Sequence, residues 1–239
     1  MSDGSGNPAC AAAELSVVVM AYNEAENLGP VVRSLASCLA TTGVETELLI
    51  VDDGSTDGTS AAADRLSSEI AGLRAVHHGT NRGLGEVYKT GLSLAGGRFV
   101  TFFPADGQYE PEATLQLRAA ACTADLVLGY LPEGRRGAVA NLLSMAEQRL
   151  YSAMFGGFPR FQGLFLVRRS FLQSIPLRLS GRGWGIVMEL IIRASRRGAS
   201  IEHVALSTRP RRSGRSKVMN AKTIASNIKQ LLTLWMLLK

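Results

Sequence analysis

At 239 residues, with 46% hydrophobic and 19% charged residues, the chain is long enough for one sizeable core and has the composition of neither a disordered polymer nor a fibre. Cys10, Cys38 and Cys122 are too few and too scattered for a disulfide framework or a zinc cluster, and a reducing, cytoplasmic setting suits them. A net charge of +6 with a pI near 9.5 points to an anionic partner, for which a nucleotide, a lipid phosphate, a membrane surface and a nucleic acid all qualify.

Residues 1–13 are small and polar and lack a basic stretch before a long apolar run, which predicts a disordered leader and no secretion signal. Leu15 to Ala21 is a β-branched run too apolar to be half exposed, the pattern of a strand buried on both faces of a parallel sheet. Asn23 is placed to cap the helix that follows, with Glu26 three residues on as in a capping box. Leu28, Val31, Val32, Leu35 and Leu39 then recur at helical spacing.

The alternation continues. Strands are expected at Glu47–Val51, Leu73–His77, Arg98–Phe103 and Asp125–Gly129, separated by helices near Thr59–Ser68 and Gly85–Ala95 and from Pro111. The pattern predicts an α/β fold, a three-layer sandwich around a mainly parallel central sheet. Beyond Gly129 it loosens: a helix over Ala138–Phe155, a strand at Leu164–Val167, a helix around Ile186–Arg197 and a strand near Ile201–Ser207. Residues 14–219 form one expected domain. Residues 220–239 follow as an amphipathic helix that either lies in a membrane interface or packs on its own domain or a partner. The longest apolar run, Leu231–Leu238, is far short of the ~18 to 20 residues that span a bilayer.

Ligands of such sheets bind beyond the carboxyl ends of the strands. That rule selects Tyr22-Asn23-Glu24, Asp52-Asp53-Gly54-Ser55, Asn81-Arg82-Gly83-Leu84-Gly85 and Pro104-Ala105-Asp106-Gly107-Gln108, four polar or glycine-rich turns that can form one site. Gly83 and Gly85 suit a backbone approaching a diphosphate, with Arg82 to balance its charge. Tyr88 stands where a dinucleotide fingerprint needs a third glycine, and no Walker A sequence occurs. His77, His78 and His203 lack metal-ligand spacing and read as packing or surface residues. No aromatic residues interleave the basic run Arg211–Lys217, which argues against single-stranded nucleic acid.

VVVMAYNEAENL, LLIVDDGSTDGT, NRGLGEVYKTGL and PADGQ, in this order, resemble the inverting family 2 glycosyltransferases. FQGLFLVRRS, GWGIVMELIIRASRRGASIEHV and RRSGRSK are similar to the acceptor half of the polyprenyl-phosphate sugar transferases within that family, the dolichyl-phosphate mannose synthase type.

The resemblance implies a GT-A fold and transfer of a sugar from a UDP- or GDP-sugar to a phosphate acceptor, polyprenyl phosphate first. It assigns the nucleotide to Ala21, Tyr22, Asn23, Glu24, Asp52, Asp53, Gly54, Arg82 and Gly83. A catalytic Mg²⁺ or Mn²⁺ falls to Asp106 and Gln108, although Pro104 stands where the family usually has the first carboxylate of an Asp-x-Asp pair. Arg212 and Lys217 are implied to act on the phosphates, and Arg136, Ser144, Arg215 and Glu189 to serve the acceptor; Glu189 is equally readable as a buried structural carboxylate.

A sugar hydroxyl acceptor needs a general base, for which such enzymes commonly carry a Glu-Asp pair. Here Met188-Glu189 stands there. A phosphate monoester, with a second pKa near about 6, is largely a dianion at neutral pH and needs none. With no appended membrane-spanning helix, contact with the cytoplasmic membrane face is expected to be peripheral. Two other readings stay open: a transferase acting on a soluble acceptor in natural-product biosynthesis, and a non-catalytic nucleotide-sugar-binding or regulatory subunit.

Overall fold

The computed structural model describes residues 14–132, 149, 152–156, 159–179, 181–209 and 230–238. The leader 1–13, and Arg136, Ser144, Arg212, Arg215 and Lys217 among the expected site residues, lie outside them. Strands β1 (Leu15–Ala21), β2 (Thr46–Asp52), β3 (Leu73–His77), β4 (Phe99–Pro104), β5 (Leu126–Tyr130), β6 (Phe165–Arg168) and β7 (Ile201–Ala205) form one sheet in the order β3-β2-β1-β4-β6-β5-β7. All pairings are parallel except those of β6, which runs against both β4 and β5. The carboxyl ends of the other six therefore share one edge.

The central strands are apolar throughout because helices cover both faces. Alternation with period two still sorts their side chains. Val17 and Val19 of β1, Ile50 of β2 and Phe103 of β4 face α1 (Ala25–Ala40), α2 (Thr59–Glu69) and α4 (Glu112–Ala120). Val18, Leu49 and Phe102 face α3 (Leu84–Leu94), α5 (Arg169–Ser174) and α6 (Gly185–Arg196). This is the expected three-layer α/β sandwich. The short helix α5 was not legible, its six residues being too few for a helical period to show.

Helix α1 starts differently from expectation. Glu24 stands at its N-cap and makes no side-chain capping bond, while Asn23 sits at φ 51°. The Asn23 side-chain oxygen accepts the Thr56 N–H (2.8 Å) and its own N–H donates to Ser55 Oγ (2.9 Å), so it joins two turns and leaves the helix uncapped. The terminal helix, α7 (residues 230–237), has Leu234 fully buried against Phe155, Leu179 and Ile192, and so packs on its own domain.

Gly91 marks where α3 presses on the sheet. A Cβ there would stand 2.6 Å from Phe102 Cε1 and 2.8 Å from Val18 Cγ1. Gly91→Val is expected to lower stability by about 1–3 kcal/mol through overpacking, read as a shift of the urea midpoint.

Candidate nucleotide and acceptor site

The register brings the expected turns together. Ala21 lies opposite Asp52, Asp52 opposite His77, and Met20 opposite Pro104. Backbone bonds from the Asp53 N–H to the Ala21 carbonyl (2.9 Å) and from the Ala105 N–H to the Met20 carbonyl (3.0 Å) carry the chain off the sheet edge in step. Tyr22, Asn23 and Glu24 are half-buried there, and the Asn27 amide donates to Glu24 Oε2 at 2.7 Å.

The two carboxylates after β2 are both buried, and each has become the centre of a hydrogen-bonded turn. Asp52 accepts from the Ser55 N–H (3.1 Å), Ser55 Oγ (2.5 Å), Ser60 Oγ (2.5 Å) and His77 Nδ1 (3.1 Å). That fills the roughly four acceptor positions of a carboxylate. Burial alone would raise the Asp52 pKa, but these hydrogen bonds outweigh it and hold the carboxyl below its ordinary value. Asp53 accepts the backbone N–H groups of Arg82 (2.9 Å) and Gly83 (2.8 Å) and meets His78 Nδ1 at 2.8 Å; His78 Nε2 lies 2.9 Å from Thr90 Oγ1. Asp52 and Asp53 thus organise the turns at this edge of the sheet, and the histidines, read from sequence as packing residues, help to position them.

The glycines have a packing reason that the sequence did not offer. A Cβ on Gly83 would strike Arg182, and one on Gly85 would strike the carbonyls of Gly181 and Gly183. Gly83 also has φ +93°, and its N–H, expected near a diphosphate, is held by Asp53. The room beside these glycines is filled by the segment that leads into α6. That contact is sealed by the Leu84 N–H to the Arg182 carbonyl (3.1 Å), the Gly181 N–H to Glu86 Oε1 (3.2 Å) and Arg182 to Asn81. Gly54, at φ +67°, is required in the same way by the backbone of Thr80 and Asn81. The Arg82 side chain is exposed at this edge.

Glu189 is corrected from an acceptor contact to a structural residue. It is fully buried in α6; Oε2 accepts the N–H groups of Arg178 (2.9 Å) and Leu179 (2.7 Å), and Oε1 accepts from Arg193 Nε (2.8 Å).

Beyond β4, Asp106 is buried and its Oδ1 accepts the Gln108 N–H at 3.1 Å. Among the described residues no three His, Cys, Asp or Glu side chains cluster as metal ligands. One carboxylate and one amide oxygen, both hard donors, fit a divalent cation that completes its shell with phosphate and water. The Arg209 N–H donates to the Gln108 carbonyl (2.8 Å) and its side chain pairs with Glu110. The basic stretch Arg211–Lys217 follows in sequence.

Parallel strands ending at one edge in buried carboxylates, glycine turns and a hard-oxygen pair define a nucleotide-binding α/β transferase of the GT-A type. The chain belongs to glycosyl transferase family 2, whose family model matches residues 16–171. It is 29% identical to an undecaprenyl-phosphate mannosyltransferase of Micrococcus luteus, covering 84% of this chain and 86% of that protein. A polyprenol monophosphomannose synthase of Mycolicibacterium smegmatis is 30% identical, over 84% of this chain and 80% of the relative. Among solved structures, glucosyl-3-phosphoglycerate synthase of Mycobacterium tuberculosis superposes with a TM-score of 0.72 at 24% identity, over 93% of this chain and 78% of that one, and supports the fold.

His77 lies between Asp52 and Asp64, at 3.1 and 3.0 Å. Burial alone would lower its pKa, but the hydrogen bonds and charges of the two carboxylates raise it above the ordinary value. A raised folded-state pKa adds stability that is complete below the ordinary value of about 6.5 and is lost as pH rises through the folded value. Urea titrations of His77→Gln are therefore expected to show the largest deficit below that pH and a shrinking one in alkali. Asp53→Ala, which strands two backbone N–H groups, should cost about 2–4 kcal/mol by the same measurement and weaken nucleotide binding.

Proposed function

We propose that this chain transfers a sugar from a nucleoside diphosphate sugar to a polyprenyl phosphate, inverting the anomeric carbon. The observation that carries the reading is Glu189. It is the one carboxylate on α6, and its oxygens are taken by Arg178, Leu179 and Arg193 in the interior. The acceptor helix thus carries no base for a sugar hydroxyl, whereas a phosphate dianion attacks without one. The two named relatives, both lipid-phosphate mannosyltransferases by name, agree with such an acceptor.

In this reading Tyr22, Asn23 and Glu24 meet the nucleoside, with Glu24 oriented by Asn27 toward the ribose hydroxyls. Asp52 and Asp53 hold the walls of that pocket rather than supplying its free lone pairs. Arg82 faces the diphosphate from the loop that Asp53 fixes. Asp106 and Gln108 would hold Mg²⁺ or Mn²⁺, which when bound offsets the charge developing on the leaving diphosphate. Arg212, Arg215 and Lys217 supply cations to the phosphates, and Arg136 supplies a cation and Ser144 a hydroxyl to the acceptor. The tie between Arg209 and the Gln108 carbonyl supports this for the first group, because their segment starts from the loop that holds Asp106. Fixed cations at the leaving group stabilise the transition state without proton transfer.

Among the described residues no helix is long and apolar enough to cross a membrane. Contact with the bilayer that carries the acceptor is proposed to be peripheral, at the cytoplasmic face.

The test is mass spectrometry of products from purified protein, a panel of UDP- and GDP-sugars, Mg²⁺ or Mn²⁺, and a polyprenyl phosphate. A glycosyl phospholipid is expected, falling by about 100-fold or more with Asp106→Ala. Nucleotide-sugar turnover only with water-soluble acceptors would overturn the lipid reading. Glu189→Gln is expected to lower stability yet leave the shape of the kcat pH profile unchanged, as a residue without a base role should.

A further inference from the structure

Charge is divided unequally along this chain. Residues 148–239 contain 17 Lys and Arg against two acidic residues, Glu189 and Glu202, whereas residues 1–147 contain nine against 18. The overall +6 therefore hides a strongly cationic second half, and of its two acids Glu189 is buried.

Helix α7 belongs to that half. It runs alongside α6 in the same direction: the Gly185 N–H donates to Gln230 Oε1 (2.9 Å) at one end, and Arg196 donates to the Leu238 carbonyl at the other. At 100° per residue, Leu232, Thr233, Met236 and Leu237 share the arc opposite the packed face formed by Leu231, Leu234, Trp235 and Leu238. Leu232, Met236 and Leu237 are 51%, 65% and 42% exposed, whereas the outer arc of a surface helix is ordinarily polar. Beside Leu237 and Leu238, the side chains of Arg193, Arg196 and Arg197 line an open cavity of about 260 Å³. Arg193 is engaged by Glu189, while Arg196 and Arg197 are exposed and each donates to a backbone carbonyl, of Leu238 and Ser174 respectively.

An outward apolar arc bordered by arginines is the pattern of a helix that lies in a bilayer surface, its apolar side chains among the acyl chains and its cations at the headgroup phosphates. We propose that the outer face of α7, with Arg196 and Arg197, docks this chain on an anionic lipid bilayer. The occupant follows from charge complementarity: an apolar arc alone would suit a second copy of the chain, but a second copy would bring the same arginines to the contact. The proposal rests on the lipid-phosphate reading for its purpose. Gln230 of α7 bonds Gly185, two residues beyond the 181–183 segment packed on the Gly83–Gly85 turn, so a bilayer against α7 lies next to the site.

The experiment is flotation of the full chain with phosphatidylcholine vesicles, with and without phosphatidylglycerol, at low and high salt. Wild-type protein is expected to float with the anionic vesicles at least about tenfold more than with the neutral ones, and less so in high salt. Leu232→Gln combined with Met236→Gln should reduce flotation by about tenfold, and Arg196→Gln combined with Arg197→Gln should abolish the preference for anionic lipid. All four side chains are exposed, and unchanged urea midpoints would show that the fold is kept.

Wild-type protein that does not float, or variants that float as well as it does, would overturn the proposal. A concentration-dependent dimer that Leu232→Gln with Met236→Gln dissolves, without flotation, would overturn it in favour of a second copy. Flotation needs no sugar donor, so the two readings fail separately. A chain that floats but makes no glycosyl phospholipid loses only the acceptor assignment; one that makes it in detergent but does not float loses only the docking surface.

Discussion

Two adjacent carboxylates at the end of a strand buried on both faces are tolerated only where protein donors replace the water they lose. Asp52 and Asp53 meet that condition with groups from three other segments: Ser55 and Ser60, the histidine pair ending β3, and the Arg82 and Gly83 amides. Much of the site's arrangement follows from this. The β3 edge must lie beside β2 to deliver the histidines, and the 80–85 turn must fold back over β2 to deliver its amides. That return brings the Thr80 backbone so close to residue 54 that only glycine fits.

The same turn is also the seam between the two halves of the molecule. Its outer side receives residues 181–183, and Gly83 and Gly85 are the concession that lets two backbones meet. From that seam α6 runs back across the sheet, held at its start by Gln230 and in its middle by Glu189, which gathers the 178–179 turn and Arg193. The 80–85 turn and α6 are thus joined through packed backbone and hydrogen bonds. Glu189 looks chemical in the sequence, but its oxygens are spent on this connection.

The fold was largely legible because its signals are local. Buried parallel strands announce themselves as short β-branched runs, and their helices by spacing, so the order of elements and the edge bearing the four turns could be read directly. The family resemblance lies in those same turns, and the chain's membership of glycosyl transferase family 2 agrees with it. Asn23 misled for a local reason as well. Its type and place suit a helix cap, yet its side-chain oxygen found the Thr56 N–H instead, 33 residues along the chain.

What sequence alone determined about this protein is thus its layer architecture, its binding edge and its family. Only the tertiary structure decided which atoms at that edge remain for a ligand. Lone pairs and empty space are claimed by partners distant in sequence: His77 for Asp52, the Gly83 amide for Asp53, the 181–183 backbone for the glycines, the 178–179 amides for Glu189. A residue's type announces that it can bind. Whether it is still available depends on what the rest of the chain has packed against it, because a buried polar group cannot be left without a partner.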